Sequence, residues 1–295
     1  MLSIDLAIRI ILALIMLGVG MSINLRDFKA ITRRPKALGV GLISQMIALP
    51  VFAILLVWWS PLSSEFKMGI IILSLCPGGN MSNYISYLTK ANTALAISLT
   101  TINGLLTVFT IPLVSNWTAL SLLEQEEHFS LPFLATALEI FLLILFPAAI
   151  GVFIRYYRIS LTEKLESPIK WATYILMAMV FGIFALGKEN QGGLQIEMAE
   201  IWQIIPFALL LNFFGLFFGY YFGRWNKLSK RNAITLSIET GLQNTALALL
   251  IATSLIGNAN MAKPAFIYAA FSFWTTLGFA YFMKNKKTVS KKLNS

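Results

Sequence analysis

Nine long apolar runs constrain this chain more than any other feature of its sequence. Each run is long enough to cross the roughly 30 Å hydrocarbon layer of a bilayer as a helix. Inside that layer every backbone N–H and C=O group must be bonded within the protein, which excludes open sheets. The sequence therefore predicts an all-α polytopic membrane protein with nine transmembrane helices in one domain, residues 1–283. The runs lie near residues 5–23, 37–59, 67–89, 92–115, 131–154, 168–187, 201–222, 232–256 and 264–283.

The residue composition agrees with a membrane protein and narrows the possible chemistry. Of the 295 residues, 57% are hydrophobic and 12% are charged, which is about half the charged fraction of a soluble domain. The single cysteine, Cys76, cannot form an internal disulfide, and the single histidine, His128, cannot supply a His-paired metal site or a histidine-based triad. We therefore do not expect an enzyme.

Basic residues fall on alternate connections between the apolar runs. The net charge is +10, and 19 of the 23 lysines and arginines lie on one side of the predicted membrane. Because positive residues accumulate on cytoplasmic loops, we predict a protein of the plasma (inner) membrane with its N-terminus outside and its C-terminus inside. Residues 284–295 are then a basic cytoplasmic tail. This distribution explains the charge by the lipid bilayer, without nucleic acid as a partner.

The third and eighth runs are interrupted at matching positions in the two halves of the chain. In the third run, Pro77 removes a backbone donor and the two glycines that follow weaken the helix. We expect a second half-helix over Tyr84–Thr89 there, capped by Ser82 or Asn83. In the eighth run, Gly241 is expected to break the helix more weakly, and Gln243-Asn244-Thr245 to cap the half-helix that continues to Ile256. Matched interruptions of this kind predict inverted repeats with a binding site near the middle of the membrane.

Glu239 lies close to the middle of the eighth run, where a carboxylate costs about 2.5 to 3.5 kcal/mol to insert. With Gln243 and unwound backbone carbonyls it offers the hard oxygen ligands that a small alkali cation prefers, while two helix N-termini at the breaks suit an anion. The alternative is that Glu239 is neutral or paired and only joins helices. For Gln45 in the second run the alternative is also purely structural: its amide would only form a hydrogen bond between helices. Glu139 is expected to pair or to reach the membrane surface.

Two motifs resemble the bile acid:sodium symporter family, including its bacterial members. They are Cys76-Pro77-Gly78-Gly79-x-x-Ser82-Asn83 and Ile238-Glu239-x-Gly241-x-Gln243-Asn244, with shorter matches in the family's order over nearly the whole chain. The resemblance implies a core subdomain in which two discontinuous helices cross, and a panel subdomain beside it. The panel helices would be about 5–23, 131–154 and 168–187, and the core helices about 37–115 and 201–283.

By this resemblance, sodium is the coupling ion, with one or two ions bound near the crossing. The first sodium site would use Ser82, Asn83, Thr100 and Glu239. The second would use Gln45, Glu239, Gln243 and the backbone oxygens of Thr240 and Leu242. The residues that face the substrate would be Gly79, Asn80, Asn244 and Thr275. The oligomeric state is left open.

The chain departs from the family's pattern at Ala96, where a serine commonly ligates the first sodium, so that this site lacks one oxygen. Asn80 and Thr275 also differ from the common residues, which leaves the identity of the substrate open. We expect a sodium-coupled symporter of a small organic anion, a carboxylate, that works by alternating access. The alternatives are a proton-coupled or arsenite-type exporter, with Glu239 as proton carrier and Cys76 as thiolate ligand, and more remotely a membrane-embedded enzyme or a sensor.

Overall fold

The computed structural model describes residues 4–22, 35–122, 133–187 and 193–285, and these residues form helices and short connections without strands. The basic segment ahead of residue 35 and the basic tail from residue 286 lie outside the described residues. The helices are α1 (Ile4–Ser22), α2 (Pro35–Ile43), α3 (Leu49–Trp58), α4 (Ser64–Leu75), α5 (Asn80–Leu88), α6 (Thr93–Leu122), α7 (Phe133–Ile140), α8 (Phe146–Tyr157), α9 (Ile159–Leu186), α10 (Met198–Trp225), α11 (Lys230–Gly241), α12 (Thr245–Leu250) and α13 (Ala259–Asn285).

Seven helical segments of the described residues are long and apolar enough to span a membrane. They are Pro35–Trp58, Thr93–Thr118, Ala137–Tyr157, Ile159–Leu186, Met198–Trp225, Lys230–Leu255 and Ala259–Asn285. The first predicted run contains a shorter apolar segment, Arg9–Gly18, and the third is divided between α4 and α5. The protein is therefore an all-α, multi-pass membrane protein, and the count of nine helices stays a prediction.

Three wide π-helical turns occur in the described residues: Ser44–Ala48, Phe141–Leu145 and Ile251–Leu255. The first two join consecutive helices without a loop, whereas three residues separate the third from α13. The first two end two residues before Pro50 and Pro147, the second residues of α3 and α8. A proline has no N–H and its ring clashes with the carbonyl four residues earlier, so a widened turn at that point relieves the helix. The first of these turns carries Gln45.

Glycines allow two pairs of helices to touch backbone to backbone. A Cβ on Gly215 or Gly219 of α10 would overlap backbone atoms of residues 236–241 in α11, and Gly20 and Gly151 play the same part between α1 and α8. Small residues at such crossings are typical of membrane helices, whose association depends on close packing. The glycines of α10 thus bring that helix against the arm of α11 that carries Glu239.

Two sets of helix contacts are the most extensive among the described residues. α1 packs mainly against α8 and α9, whereas α10 packs against α11, and α13 packs against α4 and α10. The Arg9 guanidinium on α1 donates to the Glu139 carboxylate on α7. The expectation that Glu139 finds a partner is therefore confirmed.

Candidate functional site

The first helix break lies between α4 and α5 and is only four residues long. Cys76 is extended, with φ −70° and ψ 144°, because the residue before a proline is driven out of the helical region. α5 begins at Asn80, with Gly79 as its N-cap and no side-chain cap. The expected start at Tyr84 is therefore wrong. Ser82 lies inside the helix, where its hydroxyl donates to the Gly79 carbonyl at 2.7 Å and makes no cap hydrogen bond.

The second break follows Gly241, the last residue of α11. Leu242 is extended, with φ −121° and ψ 109°, and α12 begins three residues later. The Asn244 side chain accepts a hydrogen bond from the Leu247 backbone N–H at 3.1 Å, which is the usual N-cap arrangement. The cap predicted for this half-helix is confirmed, and it is Asn244 that provides it.

The two breaks are bonded to each other. The backbone N–H of Asn244 donates to the Pro77 carbonyl at 2.8 Å, and Gln45 from the first π turn joins both segments. Its amide nitrogen donates to Gln243 Oε1 at 2.7 Å and to the Cys76 carbonyl at 3.1 Å. The interhelical hydrogen bond considered for Gln45 is therefore present, and it lies at the crossing of the two broken helices.

The Glu239 carboxylate is enclosed at this crossing and is 1% exposed. Its Oε2 accepts a hydrogen bond from the Thr100 hydroxyl of α6 at 2.8 Å. Gly78 packs against the same oxygen so closely that a Cβ there would overlap it, and that Cβ would also lie 2.9 Å from the Ser82 hydroxyl. Glu239 is thus in contact with the first break and with α6.

Several buried oxygens around the crossing have no hydrogen-bond partner among the described residues. They are Glu239 Oε1, Gln45 Oε1, Asn83 Oδ1 and Thr240 Oγ1. Leaving such groups unbonded in a buried place costs about 1 to 3 kcal/mol each. Carboxylate, amide and hydroxyl oxygens are also the ligands that hard cations prefer. The donor set therefore fits a small alkali cation.

A cavity lies between the crossing and the helices α1 and α8. Its walls combine both breaks, one face of α6, and apolar residues of α1, the second π turn and α8: Met16, Pro77, Gly78, Gly79, Thr100, Thr101, Gly104, Ile144, Leu145, Ala148, Asn244 and Leu247. The N-cap residues of α5 and α12, Gly79 and Asn244, are both among them. The cavity is thus mostly apolar, with two helix N-termini at its wall that suit a negatively charged group. It encloses about 40 Å³, which is room for a few water-sized groups and not for a whole organic molecule.

Sequence comparison with known proteins identifies the family of this chain. Residues 9–194 match the sodium bile acid symporter family. The chain belongs to this family. It is 29% identical over 273 residues to the "Uncharacterized sodium-dependent transporter YocS" of Bacillus subtilis, covering 92% of this chain and 79% of that protein. It is also 27% identical over 251 residues to the human "Hepatic sodium/bile acid cotransporter", covering 84% and 70%.

Plant relatives are longer than this chain. The rice protein "Probable sodium/metabolite cotransporter BASS2, chloroplastic" is 28% identical over 258 residues, which is 86% of this chain but only 58% of the rice protein. This member of the sodium bile acid symporter family thus spans little more than half the length of that relative. The family and these relatives are transporters, not enzymes.

The remaining predicted site residues of this family member lie in different surroundings. Ala96 is fully buried on α6, one helical turn before Thr100. Asn80 is the first residue of α5, and its side chain lies outside the described part of the structure. Thr275 on α13 donates to Asn212 Oδ1 at 2.7 Å and is not among the residues that line the cavity. Cys76 is buried, and its thiol donates to the Ile72 carbonyl at 3.3 Å.

Sequence reasoning missed Asn212 of α10 and Tyr268 of α13. Both are fully buried and bind the Gly241 carbonyl at the second break. A signal for Asn212 was present, since it is a lone amide in an apolar run, the same feature that drew attention to Gln45. Tyr268 carried no comparable signal, because aromatic residues are frequent throughout the membrane helices.

Proposed function

We propose that this protein is a sodium-coupled symporter that takes up a small organic anion of the carboxylate class by alternating access. The observation that carries the proposal is the pair of hydrogen-bonded helix breaks that enclose Glu239. One oxygen of the Glu239 carboxylate, Oε1, has no hydrogen bond within the described residues. A bound cation would offset the cost of this buried charge. Membership of the sodium bile acid symporter family and the names of its relatives support sodium as that cation.

One or two sodium ions would bind at the crossing. The second site is supported by the cluster of Gln45, Gln243 and the Thr240 carbonyl, which are linked by hydrogen bonds of 2.7 Å, together with Glu239 and the Leu242 carbonyl. The first site would use Ser82, Asn83, Thr100 and Glu239, and the buried Ala96 leaves it one oxygen short.

The organic anion would bind in the adjoining cavity. Gly79 and Asn244 lie at its wall as the N-caps of α5 and α12, so the positive ends of two half-helices would face a carboxylate. The apolar walls from Met16, Ile144 and Ala148 would have to move apart to hold the rest of the molecule, because the cavity encloses only about 40 Å³. Contacts of the anion with Asn80 and Thr275 stay predictions.

Binding of the two ligands would be coupled through the breaks. Sodium would fix the relative position of the half-helices, and the half-helix ends then form the anion site, so each ligand would raise the affinity for the other. The position of the cavity, between the crossing and the group of α1 and α8, supports a core that moves against a panel. Nine spans, inverted repeats and this division into panel and core are part of the proposal.

We further propose a plasma-membrane location with the N-terminus outside, on the distribution of lysines and arginines. Proteolysis of a tag on the C-terminus checks this orientation. Cleavage from outside intact cells, without permeabilisation, would contradict it.

Thermal unfolding of the purified protein tests the coupled binding. We expect sodium chloride to raise the unfolding temperature relative to choline chloride at equal ionic strength, because a ligand that binds only the folded state stabilises it. At 100 times its Kd a ligand contributes about 2.7 kcal/mol. Carboxylates from a panel should add a further shift only when sodium is present.

The variant Glu239→Gln serves as the comparison, since it keeps the size of the side chain and removes the charge. We expect it to lose the sodium shift. An equal shift with choline, or an unchanged sodium shift in Glu239→Gln, would contradict the proposed site.

A further inference from the structure

The carbonyl of Gly241 is held by two side chains from other helices. Asn212 Nδ2 of α10 donates to it at 2.6 Å, and the Tyr268 hydroxyl of α13 donates to it at 2.5 Å. Asn212 and Tyr268 are each 0% exposed. A carbonyl oxygen has two lone pairs, so this one is fully engaged at the point where α11 ends.

A third side chain orients the amide that holds this carbonyl. The Thr275 hydroxyl donates to Asn212 Oδ1 at 2.7 Å, which directs the nitrogen of the same amide toward Gly241. Asn212 Nδ2 also lies 3.2 Å from the Tyr268 hydroxyl, so that all three side chains form one connected cluster. We call Asn212, Tyr268 and Thr275 the Gly241 clamp.

The neighbouring carbonyl has a different environment. Thr240 O accepts a hydrogen bond from Gln243 Nε2 at 2.7 Å, and Gln243 accepts one from Gln45. One carbonyl of the break therefore belongs to the polar cluster at the crossing, while the next is withdrawn from it by the clamp. The clamp thus fixes which backbone oxygens of the break remain available to a cation.

We propose that the Gly241 clamp positions the second helix break and thereby sets the affinity of the crossing for sodium. The three side chains do not touch the ion and act as positioning residues. Since α10 and α13 both contribute, the clamp also ties the break to two complete helices, so that it does not have to be ordered anew when sodium binds. This inference rests on the proposed sodium-coupled function.

The test is the sodium concentration that gives half of the maximal thermal stabilisation, measured on the full-length purified protein with choline chloride holding the ionic strength constant. Tyr268→Phe removes one of the two donors to Gly241 and keeps the ring. We expect it to raise the half-saturating concentration about 3- to 10-fold, the loss typical of one buried hydrogen bond. Thr275→Val should raise it as well, and Thr275→Ser, which keeps the hydroxyl, should restore the wild-type value.

The matched control is Ser237→Ala. The Ser237 hydroxyl is fully buried and donates to the Leu216 carbonyl at 2.7 Å, which is also a bond between α11 and α10, but it lies away from the break. We expect this variant to lower the sodium-free unfolding temperature and to leave the half-saturating concentration unchanged.

Three outcomes would contradict the proposed role of the Gly241 clamp in sodium binding. Tyr268→Phe and Thr275→Val could both bind sodium as the wild type does, which would leave the cluster without influence on the site. Ser237→Ala could weaken sodium binding as much as they do, which would indicate general destabilisation. A wild-type protein without any sodium stabilisation would refute the proposed function itself, and the clamp with it.

Discussion

At the scale of single residues, Glu239 and Ala96 differ in the oxygen ligands that they can offer a cation. Glu239 is a buried carboxylate with one oxygen bonded to Thr100 and one with no partner among the described residues. Ala96 is equally buried but brings no oxygen. Because a hard cation is held by the number and charge of its oxygen ligands, the two proposed sodium sites should differ in strength.

Adding an oxygen at position 96 tests this difference. We expect Ala96→Ser to lower the half-saturating sodium concentration of thermal stabilisation several-fold, or to raise the Hill coefficient if a second ion then binds. The comparison is Ala94→Ser, which adds the same hydroxyl two residues earlier, on another face of α6. Identical sodium titrations of wild type and Ala96→Ser would argue against an incomplete first site.

At the scale of elements, the two breaks differ in how they are made. Pro77 ends α4 outright, because it forces the residue before it into an extended conformation. Gly241 has no such effect, and the second break depends on the side chains that hold its carbonyl and on the Asn244 cap. The second break is therefore the one whose shape neighbouring helices can adjust.

The close packing of α10 on α11 supports that second break. Gly215→Ala would place a methyl group against the Thr240 carbonyl and the Gly241 backbone, and overpacking of this kind costs about 1 to 3 kcal/mol. We expect a lower sodium-free unfolding temperature.

Gly278→Ala is the control for this change, because nothing lies within 4 Å of the added methyl group on α13. It should unfold at or slightly above the wild-type temperature, since alanine favours helix more than glycine does. Equal unfolding temperatures for Gly215→Ala and Gly278→Ala would show that the helices do not need this contact.

At the scale of the whole molecule, the sequence predicted the all-α membrane class, because apolar runs of this length have few other structures available to them. It also predicted the pairing of the two breaks and a cap among residues 243–245, of which the structure identifies Asn244. The start of α5 was predicted four residues late, because Ser82 was expected to cap a helix in which its hydroxyl instead bonds the Gly79 carbonyl.

The surroundings of Thr275 could not be predicted from the sequence. Its hydroxyl bonds to Asn212, which is 63 residues away in the chain, and the meeting of α10 with α13 depends on packing rather than on local pattern. The same holds for the cavity, whose walls come from helices at both ends of the chain. Sequence motifs identify the residues that form a helix break. The helices that pack against the break, here α10 and α13, are known only from the fold.

The most direct measurement of the central claim is uptake into proteoliposomes of a radiolabelled carboxylate selected by the thermal screen. We predict uptake with an inward sodium gradient, none with an inward potassium gradient, and uptake at the level of empty liposomes for Glu239→Gln. Uptake driven by a pH gradient without sodium, or unchanged sodium-driven uptake by Glu239→Gln, would contradict a sodium-coupled symporter built around this crossing.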